Sequence, residues 1–169
     1  MITFKTNVGE FSVILDFEKA PVTAKNFLAE AIKEFYTGTI FHRVINDFMV
    51  QGGGMDQEMI AKDGDEPIEN EADNGLKNDL GTVAMARTGD PHSASSQFFI
   101  NVADNNFMNH TSKTMQGWGY AVFGKVSTGL DTINHIKEVA TGSSMGHQDV
   151  PLDTIEIIET VISDDYKSI

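Results

Sequence analysis

The residues most able to do chemistry lie in one stretch of the chain, 41–54, where an arginine and a glutamine are set into short apolar runs. Arg43 belongs to the first run and Gln51 to the second. Residues two apart on a strand share a face, so Ile45 lies on the face of Arg43 and Met49 on the face of Gln51. An arginine is always charged and presents a rigid fork of hydrogen-bond donors. The stretch therefore offers one cationic donor group beside an amide and apolar side chains.

The same stretch also fits a purely structural hairpin. In that interpretation Arg43 is exposed, and the core is filled by Phe41, Val44, Phe48 and Met49. Gly52-Gly53-Gly54 would then let the backbone turn sharply after the second run, because no nucleotide-binding motif surrounds these glycines. From the pattern alone, the structural interpretation is favoured.

Other catalytic and metal-binding patterns are not found in the sequence. The chain has no cysteine, which excludes disulfides, thiol nucleophiles and thiolate zinc sites. It has no Gly-x-Ser-x-Gly, His-Glu-x-x-His or Gly-Lys-Ser/Thr motif. The five histidines lack the spacing of metal ligands, and the acidic residues at 63–73 lack an ordered calcium loop. We therefore expect neither a metal nor a cofactor.

Composition and charge narrow the class of partner. The chain of 169 residues is 40% hydrophobic and 22% charged, which is typical of one globular domain. Its net charge of −13 would be repelled by phosphate backbones and anionic membranes, so we expect no nucleic-acid or membrane partner. Met1–Lys5 is strand-like rather than a signal peptide, and no apolar run reaches about 18 residues. We therefore expect a cytoplasmic protein.

The elements that must position Arg43 and Gln51 are short strands. Ile2 and Phe4 alternate with polar residues, and the alternation resumes at Phe11, which predicts a hairpin. Further short apolar runs, mostly separated by glycine, asparagine or aspartate, lie at 40–45, 48–51, 83–86, 98–102, 121–126 and 155–161. The pattern predicts a mostly β fold, either a closed barrel or a sandwich.

Helices and loops complete the predicted domain. Pro21 opens one helix-like segment, and a second short helix is expected near 130–137. Residues 57–80 are acidic and poor in large apolar side chains, so they are interpreted as a long surface loop. The polar residues 163–169 are expected to form a flexible tail after a single domain at 1–162.

A family resemblance changes the weight given to the stretch at 41–53. Its sequence Phe-His-Arg-Val-Ile-x-x-Phe-Met-x-Gln-Gly-Gly resembles the signature of the cyclophilins, which are peptidyl-prolyl cis-trans isomerases. The resemblance covers essentially the whole chain in order. Supporting segments are the opening hairpin, the helix after Pro21, Asn70-Glu71, Gly81–Arg87, Ser96–Ile100 and Val122–Val126. Gln116–Tyr120 resembles the cytosolic bacterial branch of the family.

The resemblance implies a fold and a set of site residues. The fold is a closed eight-stranded antiparallel β-barrel capped by two α-helices, with the active site on its outer face. Arg43 is implied to be catalytic. The implied substrate-binding residues are Phe48, Met49, Gln51, Ala86, Arg87, Gln97, Phe99, Phe107, Met108 and Tyr120. Met108 and Tyr120 stand where the family usually has leucine and histidine. Arg87 replaces the more common asparagine, and its charge would favour acidic residues in a substrate.

The implied activity is acceleration of rotation about X-Pro peptide bonds during protein folding. No covalent bond breaks in this reaction, so it needs no nucleophile, metal or cofactor. The implied partners are proline-containing unfolded or flexible polypeptides, and a monomer is the family expectation. Cyclosporin-sensitive members carry tryptophan where Phe107 stands, so we expect weak cyclosporin binding because phenylalanine has no N–H to donate.

Two other functions are compatible with a barrel. One is a non-catalytic chaperone or scaffold that binds proline-containing segments, although a pure binder would not need Arg43. The other is a lipocalin-like barrel with a ligand inside, although Phe27, Phe98 and Phe123 would fill a small barrel. Phe98 and Phe99 are adjacent, so only one of them can face an outer pocket while the other packs in the core.

Overall fold

The computed structural model describes residues 1–169 and gives the chain one large antiparallel sheet, a separate two-stranded hairpin and three α-helices. The strands are β1 (Ile2–Thr6), β2 (Gly9–Leu15), β3 (Arg43–Ile45), β4 (Met49–Gly52), β5 (Thr82–Met85), β6 (Phe98–Asn101), β7 (Val122–Thr128), β8 (Thr141–Ser144), β9 (His147–Pro151) and β10 (Ile157–Ile162). The helices are α1 (Pro21–Ile32), α2 (Leu130–Lys137) and α3 (Asp164–Lys167), and 3₁₀ turns occur at Ala72–Asn74 and Asn106–Met108.

The large sheet has eight strands in the order β10-β1-β2-β7-β5-β6-β4-β3. Every neighbouring pair is antiparallel, which agrees with the expected strand number and direction. Strands β3 and β10 are the two ends of this order. Near the start of these two strands, backbone hydrogen bonds join Phe41 N to Ile155 O (3.0 Å) and Ile157 N to Thr39 O (2.8 Å). Arg43 therefore lies on an end strand of the sheet.

One face of the sheet packs around a core of aromatic rings. Phe4, Phe27, Phe98 and Phe123 have no exposed surface. The ring centroid of Phe27 lies 4.9 Å from that of Phe123 and 5.3 Å from that of Phe98. Rings at these separations fill the interior with favourable edge and tilted contacts. These rings occupy the space that an interior ligand would need. The lipocalin-like alternative is therefore wrong for this chain.

The long acidic segment at 57–80 is tied to the rest of the fold more closely than a free surface loop. The carboxylate of Glu71 accepts hydrogen bonds from the first turn of α1, from Thr23 N and Thr23 Oγ1 (both 2.6 Å) and from Val22 N (3.3 Å). These N–H groups have no partner inside the helix, and a carboxylate at this end also favours the helix dipole. Glu71 thus stabilises the start of α1 from a distant part of the chain.

The C-terminal residues differ from the predicted flexible tail. Residues 164–167 form α3, and the Tyr166 hydroxyl accepts a hydrogen bond from Leu15 N at 2.9 Å. The Tyr166 ring packs edge-on against Phe17, with centroids 5.2 Å apart. A helix of one turn is too short to show a periodic pattern, so two helices were expected and three are found. None of the helices has the length and apolar character needed to span a bilayer.

The hairpin of β8 and β9 was also not predicted. Its strands pair with each other outside the large sheet, and β9 lies beside β3. Thr141–Pro151 is rich in small and polar residues, so no apolar alternation marked it as a hairpin.

Candidate active site

A row of paired residues carries the candidate site across four adjacent strands. Arg43 on β3 pairs with Gln51 on β4, Gln51 pairs with Phe99 on β6, and Phe99 pairs with Ala84 on β5. Side chains directly opposite each other in a sheet lie on the same face. The register therefore places a cation, an amide and an aromatic ring side by side on one face, opposite the aromatic core.

The alternation along β6 decides which of the two adjacent phenylalanines faces the site. Phe98 packs in the large core. Phe99 belongs to a second, smaller apolar cluster, whose buried members are Met49, Ala84, Phe99, Met108 and Val122. A one-residue change of register would exchange these two faces.

An outer pocket of about 340 Å³ lies over this second cluster. It is lined by ten of the eleven residues that the family resemblance implies for the site. They are Arg43, Phe48, Met49, Gln51, Ala86, Arg87, Phe99, Phe107, Met108 and Tyr120. The eleventh, Gln97, lies in an adjoining pocket that shares Gln51, Ala86 and Arg87 with the first. The fold thus brings together residues spread over almost eighty positions of the chain.

The apolar walls of the pocket differ in exposure. Met49, Phe99 and Met108 are buried at its base, and the Phe99 ring meets Tyr120 edge-on with centroids 5.7 Å apart. At the rim the rings of Phe48 and Phe107 lie 5.6 Å apart, and Phe107 is 77% exposed. These two rings form the outer edge of the pocket.

The polar wall consists of three side chains linked by hydrogen bonds. Arg43 Nη1 donates to Gln51 Oε1 at 3.4 Å, and Gln51 Nε2 donates to Gln97 Oε1 at 3.1 Å. Gln97 lies directly over Gly54, where a side chain on the glycine would overlap it. The amide of Gln51 is therefore oriented from one side by Gln97 and itself orients the guanidinium of Arg43.

Three buried asparagines, which sequence reasoning missed, hold the pocket walls. Asn105 Nδ2 donates to Phe48 O (2.9 Å) and to Asn101 Oδ1 (2.8 Å), and Asn101 Nδ2 donates to Asn78 Oδ1 (3.0 Å). Asn78 Nδ2 in turn donates to the backbone oxygens of Met108 (3.2 Å) and Tyr120 (3.3 Å). A buried amide needs such partners, and a connected network fixes the segments that it joins. Nothing in the local pattern at these positions marks the network.

Hydrogen bonds fix Arg87 on the side of the pocket opposite β3, the strand that carries Arg43. Its Nε donates to Gly119 O at 3.0 Å, and its Nη1 donates to Thr88 O at 2.9 Å. The guanidinium carbon lies 4.5 Å from the centroid of the Tyr120 ring, in a cation–π contact. The side chain therefore connects the end of β5 to the segment that carries Tyr120.

Trp118 in the same segment does not line the pocket. Its indole is buried between the rings of His92 and His110, at centroid distances of 4.9 and 5.1 Å. Phe107, and not Trp118, is the aromatic residue that lines this side of the groove.

His42 precedes Arg43 and is buried, with no hydrogen-bond partner for Nδ1. Burial, followed by the nearby charges of His147 and Arg43, lowers the pKa of His42 from 6.5 to about 4. The imidazole is therefore neutral at neutral pH and leaves Arg43 without a competing cation beside it.

Comparison with known proteins gives one consistent family. Residues 1–162 match the family described as cyclophilin type peptidyl-prolyl cis-trans isomerase/CLD. The chain is 58% identical over 156 residues to peptidyl-prolyl cis-trans isomerase cyp18 of Streptomyces antibioticus, covering 92% of this chain and 94% of that protein. It is 56% identical over 161 residues to peptidyl-prolyl cis-trans isomerase B of Escherichia coli K12, covering 95% and 98%.

The fold is similar to that of a solved structure. A Cryptosporidium parvum cyclophilin type peptidyl-prolyl cis-trans isomerase, crystallised in the presence of the dipeptide Ala-Pro, superposes with a TM-score of 0.79 at 31% identity. The match covers 96% of this chain and 98% of that one.

Proposed function

The chain belongs to the cyclophilin family of peptidyl-prolyl cis-trans isomerases, and from that premise we propose that Arg43 is its catalytic residue and the outer pocket its proline site. One observation carries this proposal. The guanidinium of Arg43 lies at the wall of a pocket whose base is formed by Met49, Phe99 and Met108.

The reaction requires stabilisation of a twisted amide. Resonance gives the C–N bond partial double-bond character, and the barrier to rotation is about 18–20 kcal/mol. When the bond twists, resonance is lost and the prolyl nitrogen regains a lone pair. A donor directed at that nitrogen binds the twisted form more strongly than either planar form, and this difference lowers the barrier. Arg43 supplies such a donor without any proton transfer.

The apolar pocket holds one side of the bond while the other side turns. The pyrrolidine ring of proline enters the space between the buried base and the rim rings of Phe48 and Phe107. Because the base excludes water, fewer solvent molecules compete for the N–H groups of Arg43. Each tenfold in rate needs about 1.36 kcal/mol, so a 10⁵-fold acceleration needs about 7 kcal/mol.

Gln51 and Gln97 act as positioning residues in this proposal. The hydrogen bond from Arg43 to Gln51 leaves the remaining N–H groups of the guanidinium for the substrate. The second bond, from Gln51 to Gln97, holds the amide oxygen of Gln51 toward Arg43. Oriented donors lose less entropy when the transition state forms.

The substrates in this proposal are flexible polypeptides that contain proline. The Cryptosporidium parvum relative was crystallised in the presence of the dipeptide Ala-Pro, which agrees with proline as the residue that the outer pocket receives. An exposed rim at Phe107 leaves room for a longer chain to pass on both sides. A cytoplasmic monomer remains the expected state.

We also propose that residues 1–162 form one domain whose sheet closes into a barrel. The hydrogen bonds from Phe41 N to Ile155 O and from Ile157 N to Thr39 O support closure, because they join the segments that lead into β3 and β10. A closed sheet leaves no unpaired strand edge for aggregation. Slow exchange of the amide hydrogens of Phe41 and Ile157 would support closure, and exchange as fast as in a free loop would argue against it.

Substitution of Arg43 tests the catalytic proposal. We expect Arg43→Ala to lose about a hundredfold in kcat/KM, since a charge-assisted contact to the twisted amide is worth about 3 kcal/mol. Arg43→Lys should restore little, because an ammonium lacks the fork geometry. The rate is measured by NMR exchange on a proline tetrapeptide, and circular dichroism checks the fold. A folded Arg43→Ala protein with wild-type turnover would show that Arg43 is not catalytic.

A further inference from the structure

A polar pocket of about 250 Å³ continues the groove beyond the proline pocket. The two pockets share Gln51, Ala86 and Arg87 as wall residues. The polar pocket adds hydroxyl groups, including those of Thr88 and Ser93, and the amide of Gln97. An extended peptide advances about 3.3 Å per residue. A chain whose proline occupies the first pocket therefore presents a side chain a few residues away to the second.

The charge along this groove is opposite to that of the whole protein. The chain carries a net charge of −13 and contains two arginines, Arg43 and Arg87, and both line the groove. No aspartate, glutamate or lysine lines either pocket. A cleft lined by one sign of charge concentrates ligands of the opposite sign. The groove is thus a cationic site on an acidic protein.

The guanidinium of Arg87 is fixed and has N–H groups that can bind an anion. Two of its N–H groups are used by Gly119 O and Thr88 O, and the Tyr120 ring covers one face of its guanidinium. A guanidinium has five N–H donors, so the others are without a protein acceptor. Because the side chain is already fixed, little rotamer entropy is lost when a carboxylate binds.

The nearest acidic side chain on the adjoining loop does not neutralise this site. Asp90 Oδ1 accepts a hydrogen bond from His92 N at 2.9 Å, and Asp90 is exposed outside the groove. The hydroxyl of Ser93 bonds to Thr88 and to the backbone oxygen of Asp90, which fixes the loop without placing a carboxylate in the pocket. The positive charge of Arg87 is therefore available to a ligand.

We propose that Arg87 makes the enzyme selective for proline-containing segments that carry an aspartate or glutamate side chain a few residues from the proline. This inference rests on the isomerase function proposed above. The carboxylate lies in the polar pocket and accepts the free N–H groups of Arg87. The hydroxyl of Ser95 and Nε2 of Gln97, which line the same pocket, replace part of its hydration. Binding of the acidic side chain then holds the proline in register with Arg43.

A scan of paired peptides tests the selectivity. Each pair contains one X-Pro bond and has glutamate or glutamine at a single position, from three residues before the proline to three residues after it. We expect one position at which glutamate raises kcat/KM about five- to tenfold over glutamine at low salt. The advantage should shrink toward none at about 1 M salt. A ratio near one at every position in the wild type would overturn the proposal.

Variants assign the effect to Arg87. In Arg87→Gln the glutamate-to-glutamine ratio should fall to about one, whereas Arg87→Lys should keep about half of the advantage on a logarithmic scale. Using the ratio within each variant cancels any general loss caused by movement of the Tyr120 wall. Lys125→Gln, which removes an equal charge from β7 outside the groove, is the matched control and should keep the wild-type ratio.

The outcomes separate selectivity from catalysis. A glutamate advantage that persists in Arg87→Gln, or that disappears equally in Lys125→Gln, would show that general charge attraction and not Arg87 is responsible. Wild-type turnover of the glutamine peptides with no glutamate advantage would refute the selectivity alone. Failure of the wild type to turn over any peptide would refute the isomerase proposal, and the selectivity with it.

Discussion

Replacement of Gly54 by alanine should slow catalysis through two intervening side chains. The Cβ of an alanine at this position would overlap Cγ and Cδ of Gln97, whereas ordinary contacts begin at about 3.4 Å. The backbone of Gly54 is not left-handed, so alanine itself is not strained there. Gln97 must therefore move, and its hydrogen bond from Gln51 Nε2, 3.1 Å long, is lost.

The size of the effect follows from that one bond. A neutral hydrogen bond contributes about 0.5–1.5 kcal/mol. If all of this free energy is lost because Arg43 is no longer oriented, kcat/KM falls about two- to tenfold. Stability should change little, because the backbone bond from Lys62 N to Gly54 O (2.8 Å) does not involve the side chain. Gly52→Ala is the contrasting case, since its Cβ meets the backbone oxygen of Ile40 at 2.9 Å and should destabilise the fold.

A double-mutant cycle tests this reasoning. The variants are Gly54→Ala, Gln97→Ala and the double mutant, assayed by NMR exchange on a neutral proline peptide and by thermal denaturation. Gln97→Ala removes the side chain that Gly54→Ala displaces, so the second substitution should add no further loss. Equal losses from Gly54→Ala in both backgrounds, or wild-type activity in Gly54→Ala alone, would show that Gln97 does not position Gln51 and Arg43.

Three further predictions concern inhibitor, pH and metal. Phe107→Trp should tighten cyclosporin binding about ten- to hundredfold in a titration, because an indole donates a hydrogen bond that phenyl cannot. Trp118→Phe should bind like the wild type, and loss of binding there would assign this wall to Trp118. The pKa of His42 is lower in the folded chain than in the unfolded chain, so the unfolded chain is protonated first as the pH falls. Stability should therefore be complete above about pH 6.5 and decline by on the order of 3 kcal/mol toward pH 4. His42→Phe should flatten this decline in urea midpoints, and an unchanged slope would refute it. Activity should vary little between about pH 6 and 8 and survive dialysis against a chelator, because the step uses no general base; recovery of lost activity by a specific ion would contradict this.

The strands were predictable because they depend on local alternation. The pocket residues were named from the family resemblance, and only Arg43, Phe48, Met49 and Gln51 lie in its contiguous signature. Arg43 and Gln51 lie eight residues apart, and a tight turn is enough to pair them. The same alternation separates Phe98 from Phe99, but the pattern alone could not say which of them faces the core. That choice depends on the register between β4 and β6, which are far apart in sequence.

The parts that were not predictable depend on contacts between distant segments. Asn78, Asn101 and Asn105 resemble ordinary turn or surface asparagines until the fold buries them together. Glu71 belongs to an acidic run, and only the fold shows that it binds the start of α1. Tyr166 lies in a polar tail whose single helical turn has no period. Asn101 and Asn105 are only four residues apart, but each also bonds to a segment more than twenty residues away, as do Glu71 and Tyr166.

Alternate residues of β4, β5 and β6 belong to two different apolar clusters, one on each face of the sheet. Val50, Val83 and Ile100 belong to the large aromatic core, whereas Met49, Ala84 and Phe99 belong to the small outer cluster. A substitution on the outer face that keeps the small cluster buried leaves the contacts of the large core in place, because successive residues of a strand point to opposite faces of the sheet. Related chains can therefore differ in the residues of the groove, and in the peptides that they bind, while the aromatic core on the other face of the sheet stays the same.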